Sequence, residues 1–145
     1  MKPVRRIVCA DGLDGKSRAI ADGPAPDVRT DPARPGFSST FIWATDATPA
    51  RIDGDPPRVL APPPGGSLCR ILTFPPERAP HRGMQETRTL DFCLVLEGEI
   101  TLVLDTEEVE LKAGDTVVQR GTRHAWRNRS SRPCVIAISS HDATY

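Results

Sequence analysis

Aromatic residues and long apolar runs are scarce in this chain, and neither sign of charge is in excess. Phe, Trp and Tyr make up 5% of the 145 residues, and 19 basic side chains balance 19 acidic ones. A neutral chain gives no electrostatic argument for nucleic acid or an anionic membrane as the main partner. No segment has the apolar length of a signal peptide or a membrane span. From the neutral charge and the lack of such a segment, we expect neither nucleic acid nor a membrane as a partner.

The sequence also lacks any closely spaced cysteine pair. Its four cysteines are Cys9, Cys69, Cys93 and Cys134, with no CxxC motif. Cys93 and Cys134 lie in apolar, strand-like runs, where a free thiol behaves as a small hydrophobic side chain. This usage favours a reduced, cytoplasmic setting.

Proline and glycine are abundant instead, at 15 and 11 residues. Each proline removes a backbone donor and restricts its own φ, which argues against long helices. Short β-rich runs lie at residues 5–10, 16–21, 38–45 and 67–74, and further strands follow from residue 89 onward. Many short strands without crossover helices predict an all-β, antiparallel sandwich or barrel. We expect one domain over residues 1–145, with N-terminal strands in 1–75 and irregular loops at 22–36 and 51–66 that could close over a pocket.

Alternation in the C-terminal half predicts which side chains face the core. Ile100, Leu102 and Leu104 share one face of a strand, and Val109 and Leu111 share a face of the next. The segment "DTEE" between them suits a hairpin connection. Gly114 and Gly121 suit turns that require positive φ or close backbone approach.

Two segments in this half carry the most specific pattern. They are "TRTLDFCLVLEGEITLVLD" (87–105) and "GDTVVQRGTRHAWRN" (114–128). Together they resemble the two motifs of the cupin superfamily, and the chain resembles a small single-domain cupin of the conserved-barrel type, of unassigned function. The resemblance implies an antiparallel double-stranded β-helix, or jelly-roll barrel, with its motif core over 84–140 and a site in the barrel mouth.

The resemblance also assigns residues to the site. With Gly98 as the anchor of the first motif, Asp91 takes the glutamate position, and Thr87 and Gln85 take the two histidine positions. In the second motif, Gly114, Gly121, His124 and Asn128 match, so His124 is the expected site histidine. Asn128 is expected to brace the strand end.

Imidazoles and a carboxylate on facing strands would bind Fe, Mn, Zn or Ni. Here a hydroxyl and an amide replace two imidazoles, so we expect no metal cofactor. The alternative is one divalent transition metal held by His124, Asp91 and Gln85, with His81 as a further donor if its loop folds inward.

Without a metal, His124 and Asp91 form a candidate catalytic pair for proton transfer. Such a pair favours a lyase, isomerase or cyclase acting on a small organic metabolite. Substrate-binding candidates are Gln85, Thr87, Cys93, Trp126, Trp43 and Phe92. In the structural alternatives, His124 bonds a backbone carbonyl and Asp91 accepts hydrogen bonds from a turn.

Two other function classes stay open: a metal-dependent oxygenase or decarboxylase, and a non-catalytic barrel that binds a small ligand. A homodimer is expected, with the N-terminal strands adding to a neighbour's sheet. A locally basic run is expected to be solvated, or alternatively to form an anion-attracting rim at the pocket mouth: Arg120, Arg123, Arg127, Arg129 and Arg132.

Overall fold

A computed structural model describes residues 2–78 and 83–144, and it contains strands and no helix in these two ranges. The eleven strands are β1 (Arg5–Asp11), β2 (Ser17–Pro24), β3 (Val28–Thr30), β4 (Ser38–Thr45), β5 (Ser67–Phe74), β6 (Thr89–Glu97), β7 (Glu99–Val103), β8 (Glu108–Lys112), β9 (Thr116–Arg120), β10 (Ala125–Arg127) and β11 (Cys134–Asp142). The all-β prediction is confirmed. None of the described residues forms a helix long and apolar enough to cross a membrane.

Two sheets form the barrel and a separate hairpin stands beside them. The larger sheet has the order β3-β4-β5-β11-β6-β9, the smaller has the order β10-β7-β8, and β1 pairs with β2. Every pairing is antiparallel. Residues 22–36 are less irregular than expected, because β2 extends to Pro24 and β3 pairs with β4.

The core lies between the inner faces of the two barrel sheets. Leu72, Val95 and Ile136 come from the larger sheet and pack with Ile100, Leu102 and Leu111 of the smaller one. Leu104 and Val109 pack against this cluster while partly buried, so the predicted inward faces of β7 and β8 are confirmed. Burial of these apolar side chains is the main stabilising contribution.

The register of the larger sheet brings chemically different side chains onto its inner face. Arg70 on β5 is opposite Ile138 on β11, and Ile138 is opposite Cys93 on β6. One row away, Asp91 on β6 lies between Ser140 of β11 and Gln119 of β9. A polar row therefore adjoins the apolar core.

Candidate active site

A cavity of about 990 Å³ opens next to this polar row. It brings together five of the residues predicted from the sequence: Gln85, Thr87, Asp91, His124 and Trp126. The side chains of Leu72, Phe74 and Ile138 form an apolar part of the cavity wall. Residues 29–35 line another part of it. Part of the proposed loop 22–36 therefore borders the cavity.

His124 is held in one orientation immediately before β10. Its backbone forms a two-way bridge with Gln85, with N···O distances of 2.8 Å and 2.7 Å. Its ring Nδ1 lies 2.8 Å from the carbonyl oxygen of Thr122. A carbonyl can only accept, so Nδ1 carries the hydrogen and Nε2 of the neutral ring keeps its lone pair. The predicted carbonyl contact exists, and it leaves the other nitrogen available as a base.

Asp91 is buried with part of its carboxyl group unpaired. It is 7% exposed, and its Oδ1 has no hydrogen-bond partner among the described residues. A buried carboxylate oxygen without a donor is costly, because the solvation it had in water is not replaced. Asp91 also lines the cavity, so a ligand donor that reaches this oxygen would replace the lost solvation.

Gln85 and Thr87 border the cavity in more exposed positions. The Thr87 hydroxyl accepts a hydrogen bond from Thr89 at 3.2 Å. The indole of Trp126 stands edge-on to the His124 ring, with centroids 6.0 Å apart. Trp126 thus supplies an aromatic wall beside the candidate base.

The structure does not bring Phe92, Trp43 or Cys93 to the cavity wall. Phe92 alternates with Asp91 on β6, so it points outward, where it is 50% exposed and contacts His141. Trp43 follows a bulge in β4 and pairs with Cys69, on the face opposite to Arg70. Cys93 points inward but lies in the apolar core. Burial, followed by the nearby Asp91 charge, raises the pKa of Cys93 to about 12, which makes it unsuitable as a nucleophile at neutral pH.

Arg70 is a cavity residue that the sequence analysis missed. It lies on the inner face of β5 and lines the cavity. Its Nε is buried and has no hydrogen-bond partner in the described part of the chain. Burial lowers the pKa of the Arg70 guanidinium, while Asp91 acts in the opposite direction, and arginine stays charged in proteins. The sequence signal that could have identified Arg70 is that it is the one charged residue in the otherwise apolar strand "SLCRILTF".

The described residues do not fit a tightly held transition metal. No group of three or more His, Cys, Asp or Glu side chains occurs among them with the geometry for one ion. His124 and Asp91 are ordinary ligands, but Gln85 and Thr87 offer an amide and a hydroxyl. His141 bonds Ser139 at 3.0 Å and packs on outward-facing Phe92. His81, the other expected donor, lies outside the described residues.

The basic run does not line the cavity, and three of its members are in ion pairs. Arg123 pairs with Asp105, Arg127 with Glu77 and Arg129 with Glu108. The first and third pairs are largely exposed, so they contribute little to stability. The structure therefore does not place this basic run at the rim of the cavity.

Asn128 braces the end of β10, as expected. Its Nδ2 donates to the carbonyl oxygens of Phe74 at 2.9 Å and Arg132 at 2.7 Å. Its Oδ1 accepts from Ser130. These bonds tie the turn after β10 to the end of β5 and fix one wall of the cavity.

The architecture is thus an antiparallel barrel with buried polar groups on its inner face beside one cavity. Residues 70–140 match the Cupin_2 family, described as the cupin domain. In structure, the chain resembles a Cupin 2 conserved barrel domain protein from Salinispora arenicola, with a TM-score of 0.54 and 19% identity over 81% of this chain and 82% of that one. Residues 70–140 are therefore a cupin domain, and the fold of the chain is an all-β cupin barrel.

Curated relatives match about half or somewhat more of the chain. The chain is 50% identical over 78 residues to phomopsin biosynthesis cluster protein D of Diaporthe leptostromiformis, covering 52% of this chain and 38% of the relative. It is 35% identical over 98 residues to the cupin-domain-containing oxidoreductase virC of Hypocrea virens, covering 62% and 50%. The chain thus spans half or less of the length of these relatives.

Proposed function

We propose that this cupin is an enzyme of secondary metabolism that transfers protons on a small organic metabolite without a metal. The reaction class is lyase, isomerase or cyclase, with His124 and Asp91 as catalytic residues. The observation that carries this proposal is that both residues are buried at one cavity, where Oδ1 of Asp91 is unpaired and the contact of His124 Nδ1 with Thr122 leaves Nε2 as the basic nitrogen. The biosynthetic names of the relatives support the metabolic setting.

In the proposed reaction, Nε2 of His124 removes a proton from a carbon next to a carbonyl group of the substrate. The C–H electron pair forms a C=C bond, and the carbonyl π pair moves to oxygen. The imidazolium then returns the proton at another carbon, or protonates a departing hydroxyl group so that water leaves. Asp91 accepts a hydrogen bond from a substrate O–H group and so positions the reacting carbon. Trp126, Leu72 and Phe74 provide the apolar surface for the rest of the substrate.

A second candidate is metal-dependent oxidoreductase, oxygenase or decarboxylase chemistry. The Hypocrea virens relative is named an oxidoreductase, which favours this candidate. This candidate requires an ion on His124, Asp91 and Gln85, and the donor set described above fits such an ion poorly. A third candidate is a barrel that binds a ligand without converting it.

The test is solvent-deuterium exchange followed by proton NMR. The protein is incubated in D₂O with a panel of 3-keto, 3-hydroxy and 2,3-unsaturated organic acids, with and without EDTA. We expect deuterium incorporation that EDTA leaves unchanged and that His124→Ala reduces by roughly 10²-fold or more. His141→Ala is the matched control, because it removes a histidine from the outer face.

Each competing function predicts a different result. Activity lost with EDTA and restored by one ion, together with about one metal per chain by elemental analysis, would establish the second candidate. Stabilisation of the fold by a panel compound without exchange would support the binding barrel.

A further inference from the structure

Arg70 and Asp91 are two oppositely charged residues that share one cavity without satisfying each other. Nε of Arg70 and Oδ1 of Asp91 are both buried and both lack a hydrogen-bond partner among the described residues. The ion pairs within 4.0 Å that occur in the described ranges include no contact between them. If Arg70 served only to neutralise Asp91, a direct hydrogen bond would be expected. Each residue instead lines the cavity and has a polar atom that is buried and unpaired.

We propose that Arg70 is the anion-binding residue of this cavity and that the natural substrate carries a carboxylate. This inference rests on the proposed function for the identity of the site. A guanidinium presents Nε–H and one Nη–H side by side, and a carboxylate accepts both. In Arg70 this edge has its Nε–H open. The rest of the cavity lining holds three arginines, Arg29, Arg34 and Arg78, against the two acidic residues Asp31 and Glu77, so positive charge is in excess around the site.

The strand register places Arg70 and Asp91 on two different strands of the larger sheet. Arg70 is on β5 and Asp91 on β6, and β11 runs between them. Two strand spacings across the sheet and a two-residue step along β6 place their backbones roughly 12 Å apart. Both side chains extend from these positions toward one cavity, so one small ligand can contact both. Leu72 and Ile138, on the same inner face as Arg70, offer apolar contact to the chain or ring between these groups.

The experiment measures binding rather than turnover. The probes are benzoate, 3-phenylpropanoate and 1-naphthoate, each compared with its neutral amide, and phenyl phosphate as a second anion class. Isothermal titration gives the dissociation constants for wild type, Arg70→Gln and Arg70→Lys. Arg120→Gln is the matched control, because Arg120 is an exposed arginine on β9 whose partner Leu90 alternates with Asp91.

We expect at least one carboxylate to bind wild type about ten- to a hundredfold tighter than its amide, the range of a charge-assisted hydrogen bond. Arg70→Gln should abolish this preference, Arg70→Lys should keep part of it, and Arg120→Gln should keep all of it. Equal binding of acid and amide, no binding of any carboxylate, or an unchanged preference in Arg70→Gln would overturn the proposal. Phenyl phosphate bound tighter than every carboxylate would overturn the assignment to a carboxylate.

A double variant distinguishes carboxylate binding by Arg70 from neutralisation of the Asp91 charge by Arg70. Arg70→Gln leaves Asp91 without its nearby positive charge, so the variant can lose stability. Arg70→Gln/Asp91→Asn removes both charges and should recover the thermal midpoint. If Arg70 binds the substrate, the double variant still lacks the preference for acids, whereas recovery of that preference would overturn the proposal. Selective carboxylate binding without any deuterium exchange would refute the proposed function and leave the anion site standing.

Discussion

At the scale of single residues, Cys93 and Cys134 are thiols that the fold keeps protonated. Burial raises the pKa of Cys134 to about 11, and burial together with Asp91 raises that of Cys93 to about 12. Because the thiolate is the reactive form, we expect iodoacetamide near pH ~8 to modify exposed Cys9 and leave both buried thiols intact. Peptide mass spectrometry with and without urea measures this. Rapid labelling of Cys93 in the folded chain would contradict it.

The same two thiols make the free energy of unfolding depend on alkaline pH. Their folded pKa values lie above the ordinary value of 9.0, so the unfolded chain releases these protons first as pH rises. Their stabilising effect is complete below pH 9.0 and declines toward pH values of about 11 and 12. Urea unfolding across this range should show the decline, and Cys134→Val, of similar volume, should reduce it. An identical pH slope in that variant would contradict the assignment.

At the scale of elements, Gly98 connects the two barrel sheets. It lies between β6 of the larger sheet and β7 of the smaller, with φ of 78°. A Cβ there would lie 2.6 Å from the carbonyl oxygen of Pro133. We expect Gly98→Ala to lower the free energy of unfolding by roughly 2–4 kcal/mol, from left-handed strain plus the clash.

Gly15→Ala is the control for this prediction, because Gly15 has φ of 75° and no atom within 4 Å of the added Cβ. It should show only the smaller cost of the backbone strain, about 1 kcal/mol. Denaturant unfolding of both variants measures the difference. Equal losses would mean that the backbone near Pro133 moves aside.

Most strands could be predicted from the sequence because turn residues separate β-rich runs. The strands at 38–45 and 67–74 match β4 and β5 in full. The sheet order could not be predicted, because β5 pairs with β11 across a long stretch of chain. The short β3 was missed because prolines surround it.

The site residues that lie within the two motifs could be predicted from the sequence. Asp91 and His124 follow from their spacing to glycines, and both border the cavity. Arg70 lies on β5, which is not part of either motif. Its side chain faces inward because β5 pairs with β4 and β11, and these long-range pairings could not be predicted from the sequence. A bulge turns Trp43 away, which no local pattern reveals. Phe92 could have been excluded by its alternation with Asp91.

At the scale of the whole molecule, the outer face of β6 and β9 carries four exposed apolar side chains beside Thr116 and Arg120. Phe92, Leu94, Leu96 and Val118 are 50%, 39%, 43% and 60% exposed, and Phe92 lies opposite Val118. Scattered exposed apolar residues are ordinary, but a contiguous group indicates an interface. We propose that a second copy covers this face, since a chain of zero formal net charge meets no net repulsion from itself.

The expected homodimer is then isologous, so one substitution alters the interface twice. Val118→Glu and Phe92→Glu should each convert the dimer to a monomer, because each buries two unpaired carboxylates. Ile52→Glu is the control, because Ile52 is 99% exposed and lies in the irregular segment 51–66, on neither β6 nor β9. Light scattering at micromolar concentration measures the mass. A monomeric wild type would rule out the dimer. A dimer that survives both substitutions would move the interface to the sheet edges or to the hairpin of β1 and β2, which pair with each other in the structure.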